Sequence, residues 1–236
     1  MHFGAIRVTI GNPTNHHLKG VRSMDELDQE RPWEAHAWLR AETLAMLAEL
    51  NEQCLEMLTL QHLAASTPTA PLLRETGSLL RMMDMDARHR AAACPYLLFD
   101  AGFADQQRWS WVTGSCIRDM DLKEGPPFFT LQQTRSMARL VLTYAWHLAR
   151  SQSAAARLLL GMTGQCSRLI SVCTLRQIHD LAEAHPEWLQ PRWANRPQFW
   201  RELLTSATSG DAAAMEQARL RGLQIMAAEN RALMLA

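Results

Sequence analysis

From Pro32 to about Ala65 the apolar positions Leu47, Leu50, Cys54, Met57 and Leu58 recur at three- and four-residue steps without an intervening glycine. This is the period of a helix with one buried face, and Pro32 suits its first turn, so one long helix of roughly 30 residues is expected. Ser66-Thr67-Pro68-Thr69-Ala70-Pro71 breaks it, and shorter helical pieces follow from Leu72 to Ala93, before Cys94-Pro95. Tyr96 to Trp111 is rich in aromatic residues and shows neither period clearly. Gly125-Pro126-Pro127 cannot continue a helix and marks the best boundary between two halves. Beyond it, Thr130 is placed to cap a helix running through Met137, Leu140, Val141, Tyr144 and Leu148 to Arg150. Gly161 and Gly164 bracket a turn, Cys166 to Val172 makes about two helical turns, and Thr174 can cap a helix from Leu175 to Ala184 that stops at His185-Pro186. Asn195-Arg196-Pro197 starts a helix through Leu204, and Gly210-Asp211 opens a last one toward Ala236. Strand signals are scarce, and the fold class read from the pattern is all-α.

The two halves resemble each other. His62-Leu63-Ala64-Ala65-Ser66 recurs as His147-Leu148-Ala149-Arg150-Ser151 at an offset of 85 residues, with Leu55/Leu140, Ala70/Ala155 and Leu73/Leu158 in register. After about six extra residues the offset becomes 91, and Ala91, Ala93, Pro95, Leu98, Gln107 and Trp109 match Ala182, Ala184, Pro186, Leu189, Gln198 and Trp200. The expectation is a degenerate tandem repeat: a loose arm over residues 1–31, a first helical module over 32–124 and a second over 125–236, packed as a pseudo-two-fold pair.

Composition narrows the function less than the pattern does. With 236 residues and 47% of them apolar, the chain can bury a sizeable core. Lys+Arg and Asp+Glu are both 24, so no overall basic field draws the whole chain to nucleic acid or an anionic membrane. The five cysteines include no C-x-x-C pair, which disfavours a disulfide scaffold and a zinc ribbon and suits a reducing cytoplasm. No apolar run approaches the roughly 18–20 residues that span a bilayer, and the segment before Met24 lacks the apolar core of a signal peptide.

Several residues invite a chemical reading. One histidine per copy, His62 and His147, lacks a second ligand at helical spacing, so packing or hydrogen bonding is the simpler role. Asp84, Asp86, Asp121 and Glu124 match neither a calcium loop nor an acid/base pair, and Gly161-Met162-Thr163-Gly164 lacks the G-K-[ST] of a phosphate loop. The sequence therefore points to no catalytic residue, metal or cofactor.

Binding is better supported. Gly164 to Glu183 has the size of a helix-turn-helix, with Arg176 and Gln177 near the start of the second helix where base-edge readers belong; Asp180 and Glu183 oppose phosphate contact, and a purely structural turn is the alternative. Pro191 to Arg201 concentrates arginine and tryptophan. Arg192, Trp193, Arg196 and Arg201 there have the composition of a binding hot spot, while the match of Trp109 with Trp200 favours core packing of Trp193, Phe199 and Trp200.

Tyr144-Ala145-Trp146-His147-Leu148-Ala149, Ala155-Ala156-Arg157-Leu158-Leu159-Leu160-Gly161-Met162 and Thr174-Leu175-Arg176-Gln177-Ile178-His179-Asp180-Leu181-Ala182-Glu183 follow one another in an order that resembles FlhD, the subunit of the flagellar master transcriptional activator. Leu47-Ala48-Glu49-Leu50-Asn51-Glu52 is similar to that family's opening "L-x-E-I-N-E". The resemblance implies an all-α, dimer-forming transcription regulator that acts with a zinc-binding partner subunit. The chain is about twice the family's length, and nothing in it resembles that partner's cysteine-rich site. The expected function is thus a cytoplasmic FlhD-like regulator working through a co-regulator protein, with DNA as a second partner and self-association open. The alternative is a helical adaptor or chaperone, for instance of a secretion apparatus, that binds no DNA.

Overall fold

A computed structural model describes residues 41–65, 70–114 and 126–235. The expected arm, residues 32–40 of the first helix, and Gly125 of the expected boundary lie outside the described residues. The described chain is helical apart from one short ribbon, and the all-α class holds.

Helix α1, Ala41–Ala64, buries Leu47, Leu50, Cys54, Leu55 and Leu58 along the face that the spacing defines. After the Pro-rich break, α2 (Pro71–Met82) begins with proline at its first turn, where the missing N–H costs no hydrogen bond. Asp84 then caps α3 (Met85–Ala92) by accepting a hydrogen bond from Ala87 N at 2.7 Å. The aromatic stretch resolves into a two-residue strand β1, Phe99–Asp100, and helix α4, Gln106–Gly114.

In the second half, α5 is Thr134–Ser151, α6 Ser153–Leu160, α7 Gly164–Val172 and α8 Leu175–Ala184. Strand β2, Gln190–Pro191, follows a 3-10 turn at Pro186–Trp188, and α9 (Pro197–Ser209) and α10 (Ala212–Leu235) end the fold. Thr130 does not cap α5. Its N–H instead donates to Gln61 Oε1 at 3.0 Å, tying the start of the second half to the end of α1, and the residue before α5 is Gln133.

β1 and β2 pair antiparallel, with Phe99 opposite Pro191 and Asp100 opposite Gln190. The helices exchange around this ribbon. α1 packs on α2 and α3, and α5 packs on α6, α7 and α8, but α4 crosses from the first half to lie on α7 while α9 crosses from the second half to lie on α2 and α3. One continuous core results, containing Trp109, Trp188, Trp200, Tyr96, Phe99 and Phe103. The segments 32–124 and 125–236 thus share their interior where they are described.

Candidate functional site

Two features hold the ribbon in place. Asn51, fully buried on α1, donates to Ala92 O (3.0 Å) and Tyr96 O (2.9 Å) and accepts from Leu98 N (2.7 Å), fixing the chain that leads into β1. Arg192, just after β2, is only 6% exposed. Its Nε donates to Leu97 O at 2.8 Å and its Nη2 to Leu160 O at 2.6 Å and Phe99 O at 3.4 Å, while Nη1 faces Met226 Sδ at 3.8 Å. Burial pulls this guanidinium below its ordinary value, and the carboxylates of Asp100 and Glu229 oppose that shift. Gly161, at the C-terminal end of α6 with φ +67°, leaves the room: a Cβ there would sit 2.8 Å from Arg192 Nη1.

These positions correct part of the expected binding set. Arg192 is an interior cation whose Nε and Nη2 are committed to backbone carbonyls. Trp193 is 7% exposed, adopts a left-handed backbone (φ 55°), donates its indole N–H to Glu229 Oε2 at 2.9 Å and meets Phe199 edge-on at 4.7 Å between ring centroids. Neither presents a docking surface in this state. Arg196 and Arg201 remain at the surface, paired with Glu229 (3.7 Å) and with Glu75 respectively. The core-packing alternative for Trp193, Phe199 and Trp200 matches their burial.

Beside Arg192 lies an open cavity of about 620 Å³ whose polar lining includes Asp100, Gln190, Asn195, Glu229 and Asn230. Asp100 Oδ1 accepts from Phe103 N at 3.2 Å and Glu229 holds the Trp193 indole, so both carboxylates already serve the fold. Among the described residues lining it there is no serine, threonine, cysteine, histidine, tyrosine or lysine, and its only carboxylates are Asp100 and Glu229. Elsewhere, His62 packs half-buried against Gly77 while His147 is exposed, so the repeated histidines do not share an environment. No group of three or more His, Cys, Asp or Glu side chains is arranged to hold a metal among the described residues.

The remaining expected site residues fall on the α7–α8 hairpin. Thr163 caps α7 by accepting from Cys166 N at 3.1 Å, and only Cys173 and Thr174 separate the two helices. Thr174 Oγ1 accepts from Gln177 N (3.2 Å) while Gln177 Oε1 accepts from Thr174 N (2.8 Å), a reciprocal capping box. Gln177 is thereby committed to the cap through its carbonyl oxygen, which is one half of a bidentate adenine contact. Arg176 is fully projected, with its side chain 90% exposed and Asp180 3.7 Å away.

Helix α8 buries Ile178, Leu181 and Ala182 and is clamped to α5 by an Arg139–Glu183 pair, by Thr143 and His179 at 3.5 Å, and by the Trp146 indole donating to Cys173 O at 2.7 Å. Further arginines, absent from the expected set, surround this hairpin. Arg150 stacks over Trp146 at 4.8 Å, and a Ser153–Ser167 hydroxyl contact at 3.0 Å brings the start of α6, and with it Arg157 one turn on, against the part of α7 that carries Arg168. A regional count of charge, rather than the balanced total, is the signal that finds them.

No protein-family model matches this chain, and neither a curated protein nor a solved structure matches it. No helix among the described residues is long and apolar enough to cross a membrane.

Proposed function

We propose that the chain is a single-chain pseudo-dimer of two FlhD-like helical modules, acting in the cytoplasm as a transcription regulator that holds a protein co-regulator. The observation that carries this reading is the exchange about the ribbon. Adding 91 to Phe99 and Asp100 gives Gln190 and Pro191, so an operation that swaps the halves turns the pair Phe99–Pro191 into the pair Gln190–Asp100. The same offset relates Gly102 (φ +70°) to Trp193 (φ 55°), two of the four left-handed positions among the described residues, and the first residues of α4 and α9, Gln106 and Pro197. It relates Trp109 and Trp200 as well, both fully buried; the indole of Trp109 donates to Gly102 O and that of Trp200 to Arg192 O, one residue before the counterpart of Gly102, at 2.8 Å each.

Helix α4 then reaches from the first half onto the second and α9 from the second half onto the first, a reciprocal exchange of the kind that joins the subunits of a two-fold dimer. A dimer-forming family fused in tandem has a reason to look like this, because each module supplies the surface that its twin lacks. The residues left outward to meet a partner are Arg176, Arg196 and Arg201, together with the exposed apolar side chains Trp111, Leu158, Val172 and Leu175.

The test is to crosslink the tagged protein in its native host, purify it under denaturing conditions and identify the attached protein and DNA together. Discrete promoter fragments recovered with one companion regulator are the expected result. Protein partners without enriched DNA favour the adaptor reading instead.

A further inference from the structure

We propose that the face formed by α5, α6, α7 and the first turn of α8 binds the phosphate backbone of duplex DNA through Arg150, Arg157, Arg168 and Arg176. Although the chain is neutral overall, its charge is segregated: from Gly125 to His179 there are six arginines and no aspartate or glutamate, so this stretch carries +6 and the remainder −6. Such a segment creates a local positive field that the whole-chain balance conceals.

The fold gathers four of these charges, Arg150, Arg157, Arg168 and Arg176, onto neighbouring helices. All six arginines are exposed. Arg139 is answered by Glu183 and Arg176 by Asp180, whereas no carboxylate among the described residues pairs with Arg150, Arg157 or Arg168. Trp146, which carries Arg150 stacked on its ring, touches the α7–α8 turn through Cys173 O, so Arg150 and Arg176 stand on the same end of the hairpin. The Ser153–Ser167 contact sets Arg168 beside the start of α6, between Arg150 three residues before Ser153 and Arg157 one turn after it.

Three observations select a duplex over other polyanions. The cations sit on four packed helices of fixed spacing, which suits a rigid array of phosphates. The apolar side of α6, Ala155, Ala156, Leu159 and Leu160, is buried in the core, and the exposed Leu140, Leu158, Val172 and Leu175 are one to each of the four helices, so no single helix here offers the continuous apolar side with which an amphipathic helix enters a membrane surface. The hairpin has the proportions of a helix-turn-helix, with α5 packed behind it. On α8 the first turn is cationic, and Asp180 and Glu183 lie farther along, past the N-terminal residues that approach the groove in that motif. DNA contact here rests on the regulatory reading for its purpose, but its measurement is independent of any co-regulator.

Binding of the full-length protein to a fluorescent mixed-sequence duplex of about 25 base pairs is followed by anisotropy as salt is raised. Four phosphate contacts give a log–log salt slope of about −3.6, a loss of about 150-fold in affinity between roughly 50 and 200 mM salt. Arg150→Glu with Arg168→Glu is expected to weaken binding at least about tenfold and to make the slope shallower by about two. Arg74→Glu with Arg81→Glu, exposed on α2, changes neither, and circular dichroism checks that both variants are folded. The proposal is overturned by absence of salt-dependent DNA binding, by equal loss in the α2 variant, by no loss in the folded R150E/R168E variant, or by binding of polyglutamate or anionic vesicles in place of the duplex. Failure here with a co-regulator still recovered from the host removes the DNA face and leaves the partner-binding reading standing.

Discussion

Arg192→Met is the substitution that most sharply separates an interior role from a docking role. Methionine keeps most of the apolar stem and adapts to an irregular pocket, so the change chiefly removes the guanidinium. Two short hydrogen bonds disappear, to Leu97 O at 2.8 Å and Leu160 O at 2.6 Å, and both acceptors belong to buried residues. A buried carbonyl without a donor costs about 1–3 kcal/mol, which sets the loss at about 2–6 kcal/mol, against about 5–15 kcal/mol for a whole domain. Release of a desolvated cation offsets part of this, so the lower half of the range is expected. At about 2–4 °C per kcal/mol for a chain of this size, the unfolding midpoint falls by roughly 4–16 °C, read by differential scanning calorimetry. Arg196→Ala and Arg201→Ala remove only exposed ion pairs and cost at most about 1 kcal/mol each. An Arg192→Met midpoint within about 3 °C of the parent, or an equal loss in Arg196→Ala, refutes the interior role.

Gly161→Ala is expected to destabilise by about 1–3 kcal/mol in urea unfolding with an unchanged m-value, because alanine is strained at φ +67° and its Cβ meets Arg192 Nη1 at 2.8 Å; a neutral outcome means that the buried arginine shifts freely. The thiols of Cys94 and Cys173 are pushed up to about 11 by burial, so at about pH 8 they are protonated in the folded chain and resist alkylation. The sign for stability follows: their contribution is intact below the ordinary thiol value and is lost as pH rises from it toward about 11, where the unfolded chain ionises first. Mass-spectrometric mapping after brief iodoacetamide treatment checks this, and ready labelling of either residue before denaturation contradicts it.

How much of this was legible in the sequence depends on the range of the interaction involved. The helix after Thr174 reads directly, because its cap, its Gln177 partner and its apolar spacing all lie within ten residues. Thr130 has the same composition as a cap and fails as one, since Gln61, 69 positions away, takes its N–H. The ribbon was invisible because two-residue strands carry no alternation to detect. Arg192 was misplaced for a related reason: an arginine beside a tryptophan looks like a surface group until the carbonyls of Leu97, Phe99 and Leu160 are known to surround it. Conversely, the excess of arginine between Gly125 and His179 is readable from a count of charge by region, whereas the contacts Trp146–Cys173 and Ser153–Ser167 that bring those arginines together are not.

The most direct test of the single-chain pseudo-dimer is a disulfide across the ribbon. Asp100 and Gln190 oppose each other in the antiparallel pair. Cα atoms so placed are about 4.5–5.5 Å apart, within the roughly 4.4–6.8 Å that a disulfide spans. In full-length protein carrying Asp100→Cys and Gln190→Cys, mild oxidation at low concentration is expected to give an intrachain bond in a species of the parent mass, 26.7 kDa, with residues 100 and 190 joined in the peptide map. Covalent dimers linking residue 100 of one molecule to residue 190 of another, or no bond between these positions, contradict closure of the two halves on each other within one chain.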